Sequence, residues 1–194
     1  MSYFICILDF EATCWGDGRS VEDNEREIIE FPSILYKIDW KNNVEYISEF
    51  AKYVRPVKHP ILSEFCTKLT GITQDTVDNA EVFETVYNQH YQWINDNVQQ
   101  GSKLIFLTCG MWDLRDMLPI ELKRYNLEQH YCYTKYLDVK SEFAKCFGQK
   151  CGGMVNMLKK LKIELTGQHH SGIDDCRNLA KIVIEMINNG YKFK

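Results

Sequence analysis

The feature that most constrains the fold is a continuous apolar run near the N-terminus that ends in a pair of acids. Residues 3–9 read YFICILD, and such a run of aromatic and β-branched residues indicates a buried strand. Phe10 and Glu11 follow directly, so the strand closes on Asp-Phe-Glu. Because successive side chains of a strand point to opposite faces, we expect Asp9 and Glu11 to share one face, with Phe10 on the other.

The rest of the chain alternates between strand-like and helix-like segments. A hairpin is expected from strands at 33–39 and 44–54, and a second buried strand at 103–108. The polar segment 16–27 is expected to be a loop. The apolar periodicity predicts helices at 62–69, just after Thr73, and at 82–98, 113–125, 139–147, 154–161 and 172–189.

Pro119 must kink the expected helix at 113–125 or restrict it to short pieces. Strands come first, and helices and strands then alternate. This order predicts an α/β fold of three layers, with a mixed β-sheet flanked by helices.

Length and composition set the class of protein. A chain of 194 residues fits one domain, since domains run to roughly 100–200 residues. The hydrophobic content of 45% excludes intrinsic disorder. No segment approaches the roughly 20 apolar residues of a membrane helix, and the run at 4–8 lacks the length and basic flank of a secretory signal. We therefore expect a single domain over 1–194 in an intracellular protein, cytoplasmic or nuclear, without a membrane partner.

Charge and cysteine content narrow the function further. Lys and Arg number 23 against 27 Asp and Glu, a net charge of −4. Proteins that hold nucleic acid by charge alone are usually basic, which argues against sequence-independent coating. A nucleic-acid enzyme that recruits divalent metal stays open, because bound cations invert the local field. The eight cysteines include no C-x-x-C pair, which favours reduced structural thiols over a zinc site.

Asp9 and Glu11 form the first part of an acidic constellation. Two carboxylates forced together at a strand end repel each other unless a cation lies between them, and oxygen ligands suit Mg²⁺ or Mn²⁺. Two solvated acids at a loop entrance are the alternative. Asp113 follows the strand at 103–108; taken alone it could be a helix N-cap, and Asp116 is expected to face solvent.

The last part lies in the sequence HHSGIDDCRN near the C-terminus. His170 precedes the final helix and Asp175 lies about one turn inside it, so a loop could place the histidine beside the acid. Histidine is suited to taking a proton from water near neutrality. Asp174 is expected to be a cap or surface residue, and His169 an exposed loop residue that points away. Four carboxylates and a histidine together suit hydrolysis of a phosphodiester by two metal ions.

These motifs resemble those of the DEDDh 3′→5′ exonucleases of the ribonuclease H-like superfamily, and within them the Eri-type subfamily of the histone-mRNA 3′-exonuclease. The first motif is ILDFEATC at 7–14, the second CGMWDL at 109–114 and the third HSGIDDCRN at 170–178. Similar intervening segments are IEFP at 29–32, LSEFC at 62–66 and LTGIT at 69–73. The resemblance covers about residues 4–187 and implies a ribonuclease H-like fold.

The resemblance also implies roles for individual residues. Asp9, Glu11 and Asp175 would hold one metal ion, and Asp9 would hold a second with support from Asp113. The cofactor would be Mg²⁺ or Mn²⁺, two ions per active site. His170, five residues before the last acid, would be the general base.

Substrate contacts are implied near the first motif. Phe10, Ala12 and Thr13 would cradle the terminal nucleotide, and Ile72 would pack on the terminal base unless it is an ordinary core residue. Lys159, Lys160 and Lys162 either track a phosphate backbone or form a solvated helix face.

Three functions are compatible with this pattern. The resemblance favours an exonuclease that releases nucleoside 5′-monophosphates from free 3′ ends, preferably of RNA, with a protein partner or the catalytic domain itself choosing the substrate. A DNA 3′-exonuclease is the second, since the contact to the 2′-hydroxyl cannot be located from sequence. The third is a catalytically silent scaffold that binds nucleic acid or protein.

Overall fold

A seven-stranded mixed sheet forms the centre of the computed structural model, which describes residues 2–16 and 23–194. The strands follow the spatial order β5-β4-β3-β1-β6-β7, and β2 pairs with β3 outside this path. Their bounds are β1 Tyr3–Leu8, β2 Glu11–Ala12, β3 Ile28–Ile38, β4 Val44–Arg55, β5 Glu81–Val82, β6 Leu104–Thr108 and β7 Tyr136–Asp138.

The sheet combines both strand directions. β3 is antiparallel to β1 and to β4, whereas β6 runs parallel to β1 and β7 runs parallel to β6. Because β1 and β6 are parallel neighbours, their carboxyl ends meet at one edge of the sheet. The α/β class with a mixed sheet, predicted from the order of elements, is confirmed.

Seven α-helices cover the sheet within the described residues. Their bounds are α1 Glu64–Thr70, α2 Gln74–Asp78, α3 Phe83–Asn97, α4 Leu118–Arg124, α5 Val139–Phe147, α6 Met154–Leu161 and α7 Gly172–Asn188. None of the described helices is long and apolar enough to cross a membrane.

The side chains of β1 divide the helices into two layers. Phe4, Cys6 and Leu8 pack in a cluster with side chains of α3 and α4. Ile5 and Ile7 pack on the other face, against α5, α6 and α7. Each of these five side chains is at most 4% exposed, and a fully buried Leu or Ile contributes about 1.5–3 kcal/mol. A strand buried on both faces explains why the sequence of β1 is continuously apolar.

Strand β3 begins five residues earlier than predicted, and it contains Pro32. A proline lacks the N–H of a ladder hydrogen bond, which argues against an inner strand. Here Leu8 of β1 pairs with Ser33 and Glu11 of β2 pairs with Glu30, so Pro32 lies beside the break between β1 and β2. The expected start at 33 was wrong because this break accommodates the proline.

Other differences concern short elements. The expected helix at 113–125 is a π-helical turn, Asp113–Met117, followed by α4 with Pro119 in its first turn, where proline is tolerated. Strands β2, β5 and β7 were not expected. Of the loop expected at 16–27, residues 17–22 lie outside the described residues, and Asp23–Glu25 form a 3₁₀ turn.

Candidate active site

Three of the four expected acids converge beside the carboxyl end of β1. Asp9 follows β1, Glu11 lies in β2, and Asp175 lies in the first turn of α7. One carboxylate oxygen from each of the three lies within 4.8 Å of the other two. The strand end and the last helix therefore bring together acids that are more than 160 positions apart in sequence.

Asp113 joins this group through the backbone. Its Oδ1 accepts a hydrogen bond of 2.9 Å from the N–H of Phe10, the residue between Asp9 and Glu11. Asp113 is 5% exposed and begins the π-helical turn after β6. The parallel pairing of β1 with β6 thus places the fourth acid against the first motif.

Glu30 of β3 holds the start of α7 in place. Its carboxylate accepts hydrogen bonds from the N–H groups of Gly172, at 2.9 Å, and Ile173, at 3.2 Å. These groups have no partner inside the helix. Glu30 thereby fixes the turn that carries Asp175. Sequence reasoning did not assign this role; an acid inside the apolar run IIEFPSIL was the available signal.

Gly172 allows α7 to approach the sheet closely. A Cβ at this position would lie 2.7 Å from the carbonyl oxygen of Asp9 and 2.7 Å from Cγ of Pro32. Such distances are shorter than real Cβ contacts, so only glycine fits without displacing the helix. The glycine sets the distance between Asp9 and Asp175.

Burial and neighbouring acids raise the pKa values of Asp9 and Glu11. Burial raises the pKa of Asp9 well above its usual range, and the charges of Asp113, Glu11, Asp175 and Glu30 raise it further. Burial is also the main cause that raises the pKa of Glu11 to about 9, with Glu30 next. Without a cation, burial and the neighbouring charges therefore disfavour the ionised forms of Asp9 and Glu11.

Hydrogen bonds limit the upward pKa shifts of the other two acids, Asp113 and Asp175. Burial raises the pKa of Asp113 to about 6, and the N–H of Phe10 opposes this shift. Burial raises the pKa of Asp175, against the N–H of His170 and the neighbouring His169. The donor set consists of carboxylate oxygens, which fits a hard divalent cation such as Mg²⁺ or Mn²⁺.

The two histidines do not lie as expected. Nδ1 of His169 is 3.1 Å and 3.2 Å from the two carboxylate oxygens of Asp175, whereas His170 donates its backbone N–H to Oδ2 at 3.0 Å. The expectation that His169 points away was wrong because it assumed an extended loop. His170 adopts a left-handed backbone with φ of 70°, and the two rings stack with centroids 3.9 Å apart.

Both imidazoles consequently belong to the site. One ring nitrogen of His169, one ring nitrogen of His170 and one carboxylate oxygen of Asp175 all lie within 4.8 Å of one another. Burial lowers the pKa of His170, the neighbouring His169 lowers it further, and Asp175 opposes them. The lowered pKa keeps the His170 ring neutral near pH 7, the form that can accept a proton.

Two neighbouring acids are engaged elsewhere. Asp174 accepts the N–H of Gln168 at 3.0 Å and pairs with Arg177 at 3.0 Å. Asp116 pairs with Arg115 at 2.7 Å on the surface. Neither belongs to the group formed by the four converging acids.

A cleft of about 430 Å³ opens above the acids. One side carries Asp9, Glu11, Asp175 and the two histidines, and the first turn of α6 forms another side. A cleft of about 480 Å³ at the opposite end of β6 is lined by no acid or histidine among the described residues. Of these two clefts, the one at the carboxyl ends of β1 and β6 carries the converging acids and the histidines.

The expected nucleotide contacts differ in their access to this cleft. Phe10 borders it, although its ring is buried edge-on against Phe31. Ala12 and Thr13 do not line it, and Thr13 Oγ1 accepts the N–H of Glu27 at 3.0 Å. Ile72 is 4% exposed and packs in the small cluster beneath α1 and α2.

Comparison with known proteins gives a consistent family. A family model described as "Exonuclease" matches residues 6–183. ERI1 exoribonuclease 2 of Xenopus laevis is 34% identical over 98% of this chain and 29% of its own length. Human ERI1 exoribonuclease 3 is 36% identical over 99% of this chain and 56% of its own length. The chain thus spans between 29% and 56% of the length of these relatives.

A solved structure extends the likeness to three dimensions. The nuclease domain of 3′hExo, described as a DEDDh family member bound to rAMP, superposes with a TM-score of 0.90 and 32% identity, covering 98% of this chain and 94% of that domain. Sequence and fold agree on one assignment. The chain belongs to the exonuclease family and, within it, to the Eri-type branch of the DEDDh 3′→5′ exonucleases.

Proposed function

We propose that the chain is a metal-dependent 3′→5′ exonuclease that releases nucleoside 5′-monophosphates, preferably from RNA. The observation that carries the proposal is the convergence of Asp9, Glu11, Asp113 and Asp175 at the carboxyl end of β1, beside two histidines. The rAMP bound to the 3′hExo nuclease domain is the kind of product that such a reaction yields. We infer that residues 1–194 act as one exonuclease domain in an intracellular protein.

The family is metal-dependent, and the four acids supply suitable ligands. We propose two ions of Mg²⁺ or Mn²⁺: Asp9, Glu11 and Asp175 would hold one, and Asp9 and Asp113 the other. When bound, such ions supply an activated water and offset the charge that develops on the phosphate. The raised pKa values of the free acids support this, because a cation is what lets the buried carboxylates ionise together.

The chain's own residues then divide the remaining tasks. A ring nitrogen of His170 would take the proton of the attacking water. The backbone N–H of Phe10 holds Asp113, and Glu30 holds the turn that carries Asp175. The cleft would receive the terminal nucleotide between the acids and the first turn of α6; its volume falls within the usual range of ligand pockets.

The substrate is the second part of the proposal. We propose RNA with a free 3′ end, since the similar proteins are exoribonucleases. The exposed Lys159, Lys160 and Lys162 could contact the phosphate backbone beyond the cleft. Choice among RNAs would come from the domain itself or from a protein partner.

The test uses 5′-labelled RNA with a free 3′ end, in Mg²⁺ and in excess chelator. We expect stepwise shortening from the 3′ end in Mg²⁺ and none in chelator. Asp9→Asn should retain the fold but lose nearly all activity, because it removes a ligand shared by both ions. Asp116→Asn is the matched control, since that acid pairs with Arg115 on the surface. Full hydrolysis in chelator, or an active Asp9→Asn, would contradict the proposed metal site.

Two further substrates test whether digestion needs a free 3′ end and whether the enzyme prefers ribose to deoxyribose. A circular single strand should resist digestion, because it has no 3′ end. A DNA oligonucleotide of the same sequence should be shortened more slowly than the RNA. Equal cutting of circular RNA would refute exonucleolytic action, and faster digestion of DNA would favour the DNA exonuclease.

A further inference from the structure

The second cleft, of about 480 Å³, lies at the amino end of β6, away from the acids. Its floor is apolar and consists of buried or half-buried side chains around the end of α3 and the start of β6: Ile94, Val98 and Leu104. Its rim carries the amide side chains of Asn95 and Gln99. A planar ring with polar edges fits such a cleft, because the floor covers the face of the ring and the amides meet its edge.

Two lysines stand at the second cleft without an acidic partner. Lys103 and Lys135 line it and are exposed, and neither forms an ion pair with an acid in residues 2–16 and 23–194. The described residues that line the cleft include no Asp or Glu. The whole chain carries a net charge of −4, so this local excess of positive charge runs against its average. A cleft with two cations and no acid attracts an anionic ligand.

Tyr131 holds an aromatic ring in solvent at the same cleft. The residue is 74% exposed, and Nζ of Lys135 lies 5.9 Å from the centroid of its ring. The adjacent His130 stacks face to face on Tyr91, which also lines the cleft, with centroids 3.6 Å apart. Single-stranded RNA is bound by this combination of groups, because its bases stack on aromatic rings and its phosphates meet cations.

We propose that the second cleft binds a nucleotide of single-stranded RNA, upstream of the 3′ end that lies at the acids. One base stacks on Tyr131 above the apolar floor, and the flanking phosphates meet Lys103 and Lys135. The identity of the strand rests on the proposed function. An acidic peptide would also meet the two lysines, but it has no flat base to cover the exposed ring, and the structure therefore favours RNA.

The separation of the two clefts determines which RNAs use both. Leu104 lines the second cleft, and Cys109 lines the cleft that holds the acids. A strand rises about 3.3 Å per residue, so these two positions are roughly 17 Å apart. A dinucleotide bound at the acids therefore leaves the second cleft empty, whereas a long strand occupies both. The second cleft adds affinity for long RNA alone.

The first measurement is the binding of RNA by the metal-free full chain in chelator, followed by the fluorescence anisotropy of a long labelled oligouridylate. Tyr131→Ala should weaken binding by about 5–150-fold, the usual effect of losing one stacked base. Replacing Lys103 and Lys135 by alanine should reduce the slope of log affinity against log salt concentration by about 0.7 for each lysine.

Trp40→Ala is the matched control for the exposed ring. Trp40 is 71% exposed, and Nζ of Lys41 lies 4.9 Å from the centroid of its ring, but Trp40 does not line the second cleft. This variant should bind the oligouridylate as the parent does. Unchanged binding by Tyr131→Ala, or an equal loss in Trp40→Ala, would overturn the proposal. Displacement of the RNA by polyglutamate as readily as by unlabelled oligouridylate would identify an acidic-peptide site instead.

The second measurement is digestion in Mg²⁺. Tyr131→Ala should raise KM for the long RNA and leave its kcat unchanged, and it should digest a dinucleotide as the parent does. An equal effect on the dinucleotide would contradict an upstream site. A parent chain that binds RNA through Tyr131 but digests nothing would contradict the proposed exonuclease and leave the second cleft supported. A parent that digests long RNA with no effect of Tyr131→Ala would contradict the second cleft alone.

Discussion

At His170 the backbone enters the left-handed region, with φ of 70°, which a residue with a side chain adopts at a cost of order 1 kcal/mol. The hydrogen bond from its N–H to Asp175 stabilises this conformation. The turn places two consecutive imidazoles on the same side of the loop, both beside the last acid. Strain of this kind is common where a site needs a fixed geometry.

The roles of His169 and His170 can be distinguished by substituting each with asparagine, a residue that tolerates the left-handed backbone conformation. His170→Asn should lose about 10²–10⁴-fold in single-turnover rate, the usual contribution of a general base. His169→Asn removes the ring nearest Asp175 and should lose much less. The measurement compares both variants at saturating Mg²⁺ across neutral pH. If His169→Asn is the more impaired, the base is the histidine that contacts Asp175 directly.

His90 predicts a pH dependence of stability. It is fully buried, with its ring nitrogens 2.7 Å from the hydroxyl of Tyr133 and 2.8 Å from that of Ser33. Burial lowers the pKa of His90 to about 3, below the unfolded value of about 6.5. The contribution of neutral His90 to the free energy of unfolding is therefore fully present above pH 6.5. It is lost as pH falls toward 3, by up to about 1.4 kcal/mol per pH unit.

The check is urea unfolding of the parent and of His90→Phe between pH 7 and 4.5. The variant loses two hydrogen bonds and should be less stable at pH 7. The gap should narrow as the medium becomes acidic, because only the parent must bury a histidine that would otherwise take a proton. A constant gap would show that the pKa of His90 is the same in the folded and unfolded states.

Site residues could be predicted from the sequence where a local pattern of neighbouring residues indicates their chemistry. The strand pattern predicts that Asp9 and Glu11 share a face, and their carboxylates do lie together, although β1 ends at Leu8 and Glu11 belongs to β2. The orientation of His169 was not predictable, because it depends on the φ angle of His170, and that angle is held by a hydrogen bond to Asp175. The role of Glu30 depends on the helix start at Gly172, 142 positions away.

At the scale of elements, the first turn of α7 decides where the last acid lies. Gly172→Ala would put a methyl group against the carbonyl of Asp9 and the ring of Pro32. The helix must shift, at a cost of about 1–3 kcal/mol in stability. Asp175 shifts with it, so activity should fall by about a hundredfold. Thermal unfolding and digestion of labelled RNA measure the two effects.

Ser171→Ala is the matched control for that change. Ser171 is the N-cap of α7, but its side chain makes no capping hydrogen bond. The substitution should leave both stability and activity close to those of the parent. Equal activity of Gly172→Ala and Ser171→Ala would show that α7 can retreat from β1 without moving Asp175.

Helices whose ends are marked by a capping residue or a glycine in the sequence were predicted well. Elements without such a mark were not. α1 ends at Gly71, which is left-handed with φ of 77°, and Thr73 caps α2 with its side chain. Strand β7 has three residues and exists because β6 offers it a parallel edge. Its pairing partner is remote in sequence, so periodicity could not reveal it.

At the scale of the whole molecule, four clustered acids of like charge oppose folding unless a cation binds among them. Folding raises the pKa of Asp113 to about 6 and that of Glu11 to about 9. The contribution of these two groups to the free energy of unfolding is therefore fully present below their unfolded pKa values. It is lost as pH rises through their folded pKa values. The metal-free chain should therefore lose stability toward alkaline pH at this site.

Divalent metal should reverse that loss. A ligand that binds only the folded state at about 100 times its Kd adds about 2.7 kcal/mol. We expect Mg²⁺ or Mn²⁺ to raise the Tm of the parent, more at pH 8 than at pH 5.5. Asp9→Asn should be more stable than the parent in chelator and respond little to metal. A metal-induced rise in Tm of equal size in both proteins would place the ions elsewhere.

The bond between Glu30 and the start of α7 also bears on how the protein is made. A ribosome produces Asp9, Glu11 and Asp113, together with β1, β2 and β6, before it reaches the residues of α7. Until that helix emerges and docks through Gly172, the growing chain holds three acids of four and lacks both histidines. If the proposed function holds, activity would therefore begin only after nearly all of this sequence has been translated.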